Sequence, residues 1–488
     1  MAETMKERKD MDPQYMWDLS TLFKNDEEWN NALPELNEMI KKLPEYQGKL
    51  NNAKTIRKFF DFDTHLGRKL SDFYCYASLR NCEDTRDSDA QAMEAKAYQV
   101  YTAYATAISF AEPEILSLDE EVLESIVHSE DLKPYAFNMQ KLLDQKPHVL
   151  SAKEEALLAA FTETLGAPSK ISESLQDADM TFESVTDSNG EVHELNQSNY
   201  ILLQMSEDRT LRLNAFKSFY KGFKQHINTF AFTYNACIKE AVAEAQVRHY
   251  ESSRAMSMAY EHVPGVVYDS LVDTVRKFMP EMYRYVRLRK QMLGLDELHY
   301  YDVYTPLVAG SSKSYTYEEA QQMVLDAVTP LGKDYVNRVK QAYKDRWIDV
   351  YPNNGKRGGA FSSGTYDSNP YILTSFTGTL DSVSTIAHEM GHSQHTWLSN
   401  HTQTPQNADY TLFVAEVAST VNENLLVEQL LQKTTEPKER LALLNHYLEG
   451  FKGTVYRQTM FAEFERDAHA MAERGEAITA ASMNTLYK

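Results

Sequence analysis

A short segment with two histidines one helical turn apart most constrains how this chain can fold. Residues 385–395 read TIAHEMGHSQH and carry the pattern H-E-x-x-H. On an α-helix, residues four apart lie one above the other on one face. His388 and His392 can therefore direct two imidazole nitrogens at one metal ion. Glu389 is placed to take a proton from a water molecule held there.

The residues around this pattern predict the helix that it requires. Thr379 is a suitable N-cap, Asp381 and Ser382 fall in the first turn, and no proline follows before Asn400. The alternative interpretation of the pattern is a helix that carries two hydrogen-bonded surface histidines. A third metal ligand would separate these two interpretations.

Two residues are candidates for the third ligand, since a catalytic zinc ion takes three protein ligands and keeps one position open. His395 shares the helix face, but three ligands on one short helical segment cannot easily close a tetrahedron. Glu416 lies in a second apolar-periodic run, 412–431, and a carboxylate on an antiparallel helix can approach from the opposite side. We favour Glu416 as ligand and His395 as a supporting residue. Ser419 or Glu423, on the face of Glu416, could orient a histidine, although Glu423 could equally be a surface charge.

Most of the remaining chain has helical periodicity, so the predicted fold class is mainly α. Aromatic residues at helical spacing between 90 and 111, among them Tyr98 and Tyr101, are predicted to be core. Alternating runs around Asn189-Gly190 predict a hairpin. We place a domain boundary there, with a helical region over 1–195 and a second region over 196–488. Short β-rich segments at 347–351, 359–366 and 371–376 predict a small antiparallel sheet just before the histidine helix.

The composition excludes several classes of protein. A net charge of -21 argues against nucleic acid or an anionic membrane as partner. The three cysteines are scattered, which suggests a reducing compartment rather than a disulfide framework. The N-terminal segment has no apolar stretch typical of a signal peptide, and no apolar run could span a bilayer. We therefore expect a cytoplasmic protein, and its residues indicate no particular oligomeric state.

Several blocks of sequence, in order, resemble one family. HEMGHSQH followed by FVAEVASTVNE is similar to the oligoendopeptidase F family of zinc metallopeptidases, relatives of thimet oligopeptidase. Further similar blocks are MWDLSTLF, RWIDVY, GKRGGAFSSGTY, NPYILTSFTGTLDSVSTIAHEMGH and YRQTMFAEFE. The resemblance implies one Zn²⁺ ion held by His388, His392 and Glu416, with Glu389 as general base. It also implies a deep channel for short oligopeptides, and region 196–488 would be the catalytic region.

The segment Gly359-Ala360-Phe361 resembles the edge strand that other H-E-x-x-H peptidases place ahead of their zinc helix. An extended peptide can pair with such an edge through its backbone, whatever its side chains. The alternative is an ordinary glycine-rich turn. The family resemblance favours substrate binding.

One expected element is missing from the residues. The family's oxyanion-stabilising donor comes from a C-terminal segment rich in His and Tyr, and no equivalent motif occurs here. The catalytic region is therefore expected to be incomplete at its C-terminus, with zinc binding retained and turnover impaired. Tyr371, Tyr410 and Tyr456 are possible substitutes. Two other functions stay open: a zinc exopeptidase of the dipeptidyl carboxypeptidase kind, and a non-enzymatic fragment that binds zinc and peptides.

Overall fold

The computed structural model of the chain describes residues 6–197, 199–308 and 313–488, except for the side chains at 152, 156, 159, 160, 162, 163, 177 and 178. Within these ranges the protein is mainly helical, as predicted. None of the helices described is long and apolar enough to cross a membrane. The residues group into two compact units, each made of two separate segments: Met1–Glu154 with Ser312–Lys433, and Glu155–Ser311 with Thr434–Lys488.

The first unit contains the H-E-x-x-H segment. Its leading helices are α1 (Asp26–Ile40), α2 (Ala53–Glu83), α3 (Ser88–Ile108), α4 (Ala111–Leu116), α5 (Glu120–Val127) and α6 (Ala136–Gln145). The leading segment ends within α7 (Ala152–Leu165). The second segment of this unit carries α14 (Tyr317–Ala327), α15 (Lys333–Lys344), α16 (Leu380–Thr402) and α17 (Leu412–Lys433), with strands β3 (Ile348–Asp349), β4 (Phe361–Ser363) and β5 (Tyr371–Leu373).

The second unit is also helical, with one hairpin. Its helices are α8 (Ala167–Ser174), α9 (Tyr200–Gln204), α10 (Arg209–Gln225), α11 (Ile227–Val247), α12 (Ser253–Tyr260), α13 (Gly265–Met292), α18 (Pro437–Gly450), α19 (Arg457–Glu473) and α20 (Ala480–Tyr487). The predicted hairpin is present as β1 (Val185–Thr186) and β2 (Val192–His193), which pair antiparallel. Gly190 closes its turn at a φ of 85°, where a residue with a Cβ would be strained.

The boundary predicted near residue 195 falls inside the second unit rather than between the units. A hairpin followed by new helices looks like a boundary in sequence. The chain instead leaves the first unit near residue 154 and returns to it near residue 312. Because contacts over such separations leave no local pattern, the discontinuous grouping is not apparent from the residues alone.

The small sheet ahead of α16 is mixed, so the prediction of a wholly antiparallel sheet is wrong in this detail. β4 pairs antiparallel with β5, but β3 pairs parallel with β5. The order is β3-β5-β4, which puts β4 at an edge. Parallel neighbours need a long connection, and the residues between Asp349 and Tyr371, β4 among them, provide it.

Two hydrophobic clusters hold α16 and the sheet in the first unit. One cluster centres on α2 and includes Trp29 stacked on Phe73, with ring centroids 4.2 Å apart. The other surrounds the buried face of α16, where Val383, Ile386 and Met390 are inaccessible to solvent. β5 contributes to both clusters. The histidine helix is therefore anchored on its apolar face.

Candidate active site

Helix α16 presents the two histidines as its sequence predicts. Thr379 caps the helix by accepting a hydrogen bond from the backbone N–H of Ser382. The Nε2 atoms of His388 and His392 lie 3.1 Å apart, and their rings meet edge to face. Two nitrogen atoms from consecutive turns of one helix therefore face the same point.

Helix α17 brings a carboxylate to that point. Glu416 Oε2 lies 3.3 Å from Nε2 of His388 and 3.3 Å from Nε2 of His392. The approach of the two helices depends on Gly391, within the H-E-x-x-H pattern. A Cβ at this position would lie 2.6 Å from the carbonyl oxygen of Ala418 and 2.6 Å from Cα of Ser419.

The three atoms fit a tetrahedral metal ion. Their separations are 3.1, 3.3 and 3.3 Å. The edge of a tetrahedron whose ligand bonds are about 2.0 Å, the length typical of zinc, is about 3.3 Å. Two imidazole nitrogens and one carboxylate oxygen form a donor set known from catalytic zinc sites. His388, His392 and Glu416 could therefore hold such an ion together.

Neighbouring side chains orient two of these three residues. Glu423 Oε1 lies 3.1 Å from Nδ1 of His388. The carboxylate can accept a hydrogen bond from Nδ1–H, which leaves the lone pair of Nε2 directed at the site. Ser419 donates a hydrogen bond of 2.7 Å to Glu416 Oε2. Of the two predicted orienting residues, Glu423 therefore contacts an imidazole, whereas Ser419 contacts the carboxylate.

Burial and neighbouring charges shift the pKa values of His388, His392 and Glu389. Burial opposes protonation of His388, but the hydrogen bond that its ring donates to Glu423 and the neighbouring carboxylates outweigh burial and raise the pKa of His388. The pKa of His392 is lowered, mainly by burial. Glu389 is 6% exposed. Burial raises the pKa of Glu389 to about 7, so this carboxyl group can exchange a proton near neutral pH.

His395, the other candidate for the third ligand, lies apart from the three converging atoms. Its ring stacks on Tyr410, with centroids 3.8 Å apart and an interplanar angle of 13°. The Tyr410 hydroxyl in turn hydrogen-bonds with Thr396. The supporting role that we favour for His395 stays a prediction.

The segment predicted to bind substrate leads into the edge strand β4. Gly359 is exposed and has a φ of 85°, Ala360 is partly buried, and Phe361 begins the strand. The Phe361 ring lies 6.5 Å from Trp17, within the core cluster. Ser362 hydrogen-bonds with Ser393, the residue after His392, at 2.8 Å. A link between the edge strand and the histidine helix is thus present that sequence patterns did not indicate.

The three tyrosines considered as oxyanion donors make other contacts. Tyr371 is fully buried and its hydroxyl bonds to Thr21. Tyr456 belongs to the second unit, where its hydroxyl donates to the carbonyl of Phe278. As described above, Tyr410 stacks on His395. None of the contacts described for these tyrosines is with the three converging residues.

A second group of possible ligand atoms within 4.8 Å of one another belongs to the hairpin: Asp187, Glu191 and His193. Asp187 Oδ1 accepts the backbone N–H groups of Asn189 and Glu191, and its other oxygen lies 3.4 Å from His193 Nε2. Stabilisation of the turn accounts for this cluster.

Two family profiles and a curated relative match this chain. The profile of peptidase family M3 matches residues 202–488, more than half of the chain, and the oligopeptidase F profile matches residues 114–182. Oligopeptidase PepF of Bacillus subtilis (strain 168) is 41% identical over 488 residues, which are 100% of this chain and 73% of the relative.

Solved structures of peptidases are also similar to this chain. A crystal structure of a Chlamydophila abortus protein has a TM-score of 0.86 at 32% identity and covers 99% of this chain and 82% of its own. Oligoendopeptidase-F from Enterococcus faecium has a TM-score of 0.70 at 35% identity, with coverage of 95% and 80%. The chain therefore belongs to peptidase family M3, a family of zinc metallopeptidases, and within it to the oligoendopeptidase F metalloendopeptidases.

Proposed function

We propose that this metalloendopeptidase hydrolyses short, unstructured oligopeptides with a single zinc ion held by His388, His392 and Glu416, and with Glu389 as general base. The observation that carries the proposal is the triangle of Nε2, Nε2 and Oε2 atoms, whose 3.1–3.3 Å edges match those of a tetrahedral zinc site. The substrate channel expected for the family is part of this proposal.

When bound, zinc supplies Lewis acidity, which polarises the scissile carbonyl and makes a water molecule more acidic. Glu389 takes a proton from that water as it attacks and returns the proton to the leaving amine. Its position supports this role, because Glu389 directly follows His388 on α16 and is only 6% exposed, which keeps bulk water away from the carboxyl group. Glu423 and Ser419 keep the ligand atoms in place.

Substrate binding is proposed along Gly359, Ala360 and Phe361. β4 lies at the edge of its sheet, where an extended peptide could add as a further strand. The Phe361 side chain is partly buried against the core cluster, which favours recognition through the backbone. Backbone pairing is largely independent of substrate sequence, which suits an enzyme for varied oligopeptides. The relatives' names, oligopeptidase and oligoendopeptidase, support this class of substrate.

We also place the enzyme in the cytoplasm. Its three cysteines, Cys75, Cys82 and Cys237, are free thiols. Free thiols are the state expected in a reducing compartment.

The proposed mechanism is tested with a Glu389→Gln variant and a quenched fluorescent peptide whose two termini are blocked. We expect the variant to bind zinc like the wild type and to lose about 10²–10⁴-fold in kcat/KM. His388→Ala should lose the metal itself, measured by elemental analysis. Cleavage of the blocked peptide between internal residues would exclude an exopeptidase. Unchanged hydrolysis by Glu389→Gln, or full zinc content in His388→Ala, would contradict the proposal.

A further inference from the structure

One buried amide lies between three helices of the first unit, directly beside the candidate metal ligands. Asn422, on α17, is 1% exposed. Its Nδ2 donates a hydrogen bond of 3.0 Å to the carbonyl oxygen of Ala387, on α16. Its Oδ1 accepts a hydrogen bond of 3.0 Å from the hydroxyl of Tyr335, on α15. Both ends of the amide are therefore engaged, each by a different helix.

These contacts adjoin the metal-site contacts in sequence. Ala387 immediately precedes His388, and Asn422 immediately precedes Glu423, which contacts His388 Nδ1. Towards the N-terminus of α17, Ser419 lies against Gly391 and Glu416 reaches the two imidazoles. Glu416, Ser419 and Glu423 thus share one face of α17, and both glutamates contact the histidines from it. A rotation of this helix would remove Glu416 and Glu423 together.

Apolar packing alone does not select that face. α17 buries Leu426 and Val427 but leaves Phe413 61% exposed and Val417 58% exposed. Hydrophobic residues therefore surround the helix rather than form one stripe, and the hydrophobic effect is not directional. A hydrogen bond is directional, and a buried amide without partners is costly. The pair of hydrogen bonds made by Asn422 can therefore distinguish the observed rotation of α17 from others.

We propose that Asn422 is a positioning residue for the metal centre. Its amide accepts a hydrogen bond from Tyr335 and donates one to the carbonyl of Ala387. These two bonds fix the rotation of α17 at which Glu416 and Glu423 face the histidines. This inference rests on the proposed zinc site, and it adds a residue that is not a ligand. Tyr335 is the supporting partner, because its hydroxyl fixes the orientation of the amide.

The test is the zinc dissociation constant of the full 488-residue chain, measured by competition with a chromophoric chelator. Asn422→Leu keeps the side-chain size and removes both hydrogen bonds, and we expect about 10–100-fold weaker binding. Tyr335→Phe removes one hydrogen bond and should give a smaller loss. Asn424→Ala is the matched control, because Asn424 is exposed and, among the residues described, its side chain hydrogen-bonds only to Thr420 of its own helix. The zinc affinity of this variant should equal that of the wild type.

A second readout separates positioning from general stability. Cobalt(II) replaces zinc, and its visible absorption depends on ligand geometry. We expect the spectrum of Asn422→Leu to differ from that of the wild type, and that of Asn424→Ala to match it. If Asn422→Leu does not fold, as judged by circular dichroism, Asn422→Ala replaces it. Alanine favours the helix and removes the same two hydrogen bonds, so the same weakening is expected.

Wild-type zinc affinity together with a wild-type cobalt spectrum in the Asn422 variant would overturn the inference, even if its melting temperature were lower. If the Asn422 variant gives this result while His388→Ala loses its zinc, the role of Asn422 is refuted and the proposed metal site is not. Zinc affinity unchanged in His388→Ala would instead refute the proposed metal site.

Discussion

At the scale of single residues, the candidate site depends on which atom of each side chain is free to bind. Each histidine has two ring nitrogens, and a proton on one leaves a lone pair on the other. In His388, the Nδ1 side is taken by Glu423 and the Nε2 side faces His392 and Glu416. A carboxylate behind the imidazole also makes the ring more basic. Glu423 is therefore expected to contribute to metal affinity without touching the metal.

We predict that Glu423→Ala weakens zinc binding by about 10–100-fold, because the His388 ring loses the partner that orients it. Glu423→Gln, which keeps an acceptor but loses the charge, should fall between this variant and the wild type. The measurement is a chelator competition titration. Glu428→Ala, an exposed glutamate on the same helix, is the control for the loss of a negative charge, and equal effects at the two positions would argue against an orienting role.

At the scale of secondary structure elements, the site depends on how closely α16 and α17 approach. Gly391 lies where the backbone of α17 occupies the space that a side chain would need. A larger residue would push the helices apart, although alanine favours a helix over glycine by about 1 kcal/mol. The steric term should exceed this gain, because the added Cβ would lie only 2.6 Å from backbone atoms of Ala418 and Ser419.

We predict that Gly391→Ala lowers the free energy of unfolding by about 1–3 kcal/mol and weakens zinc binding, since overpacking displaces Glu416 from the histidines. Gly67→Ala is the matched control. Gly67 lies inside α2, and a Cβ there would meet no atom within 4 Å. That variant should be as stable as the wild type or more stable by up to about 1 kcal/mol. Thermal unfolding and zinc titration of both variants check the prediction, and a Gly391→Ala protein with wild-type zinc affinity would contradict it.

At the scale of the whole molecule, a partly buried aspartate, Asp63, should make the fold less stable as the pH rises. Burial raises the pKa of Asp63, on α2, from 3.8 to about 6, although Tyr104 donates a hydrogen bond to its carboxylate. The folded protein therefore holds this proton more tightly than the unfolded chain. Asp63 thus lowers the stability of the fold as the pH rises from about 4 to about 6, and the loss is complete above that range.

We predict that Asp63→Asn is more stable than the wild type by about 1–3 kcal/mol at pH 7 and nearly equal to it at pH 4. Asparagine stays neutral and can still accept the hydrogen bond from Tyr104. Denaturant unfolding of both proteins between pH 4 and pH 7 gives the difference. A constant difference across this range would contradict the assignment to Asp63.

Local sequence patterns predicted the elements well because their causes lie within a few residues. The Thr379 cap, the spacing of His388 and His392, and the Asn189-Gly190 turn each depend on neighbours in the chain. Periodicity was less informative where several faces of a helix are apolar. Tyr98 and Tyr101 were predicted to be core but are 62% and 52% exposed.

That error has an identifiable physical reason. The buried face of α3 consists of Ala90, Met93, Ala97 and Val100, a stripe of smaller side chains rotated by one residue from the tyrosines. Both stripes have helical spacing. Which stripe is buried depends on the helices that pack against α3, chiefly α2 and α1, and the periodicity of α3 itself does not say which of its faces they cover.

The sequence by itself determined the helix with its two histidines, the glutamate next to the first of them and the family of the chain, because each is written in short, contiguous patterns. Only the tertiary structure decided how closely Glu416 approaches the two imidazoles, that β3 and β5 run parallel, and that Asn422 joins three helices. Those outcomes depend on contacts between residues tens of positions apart. Such contacts are selected by packing and directional hydrogen bonds in three dimensions, and neither leaves a periodic trace along the chain.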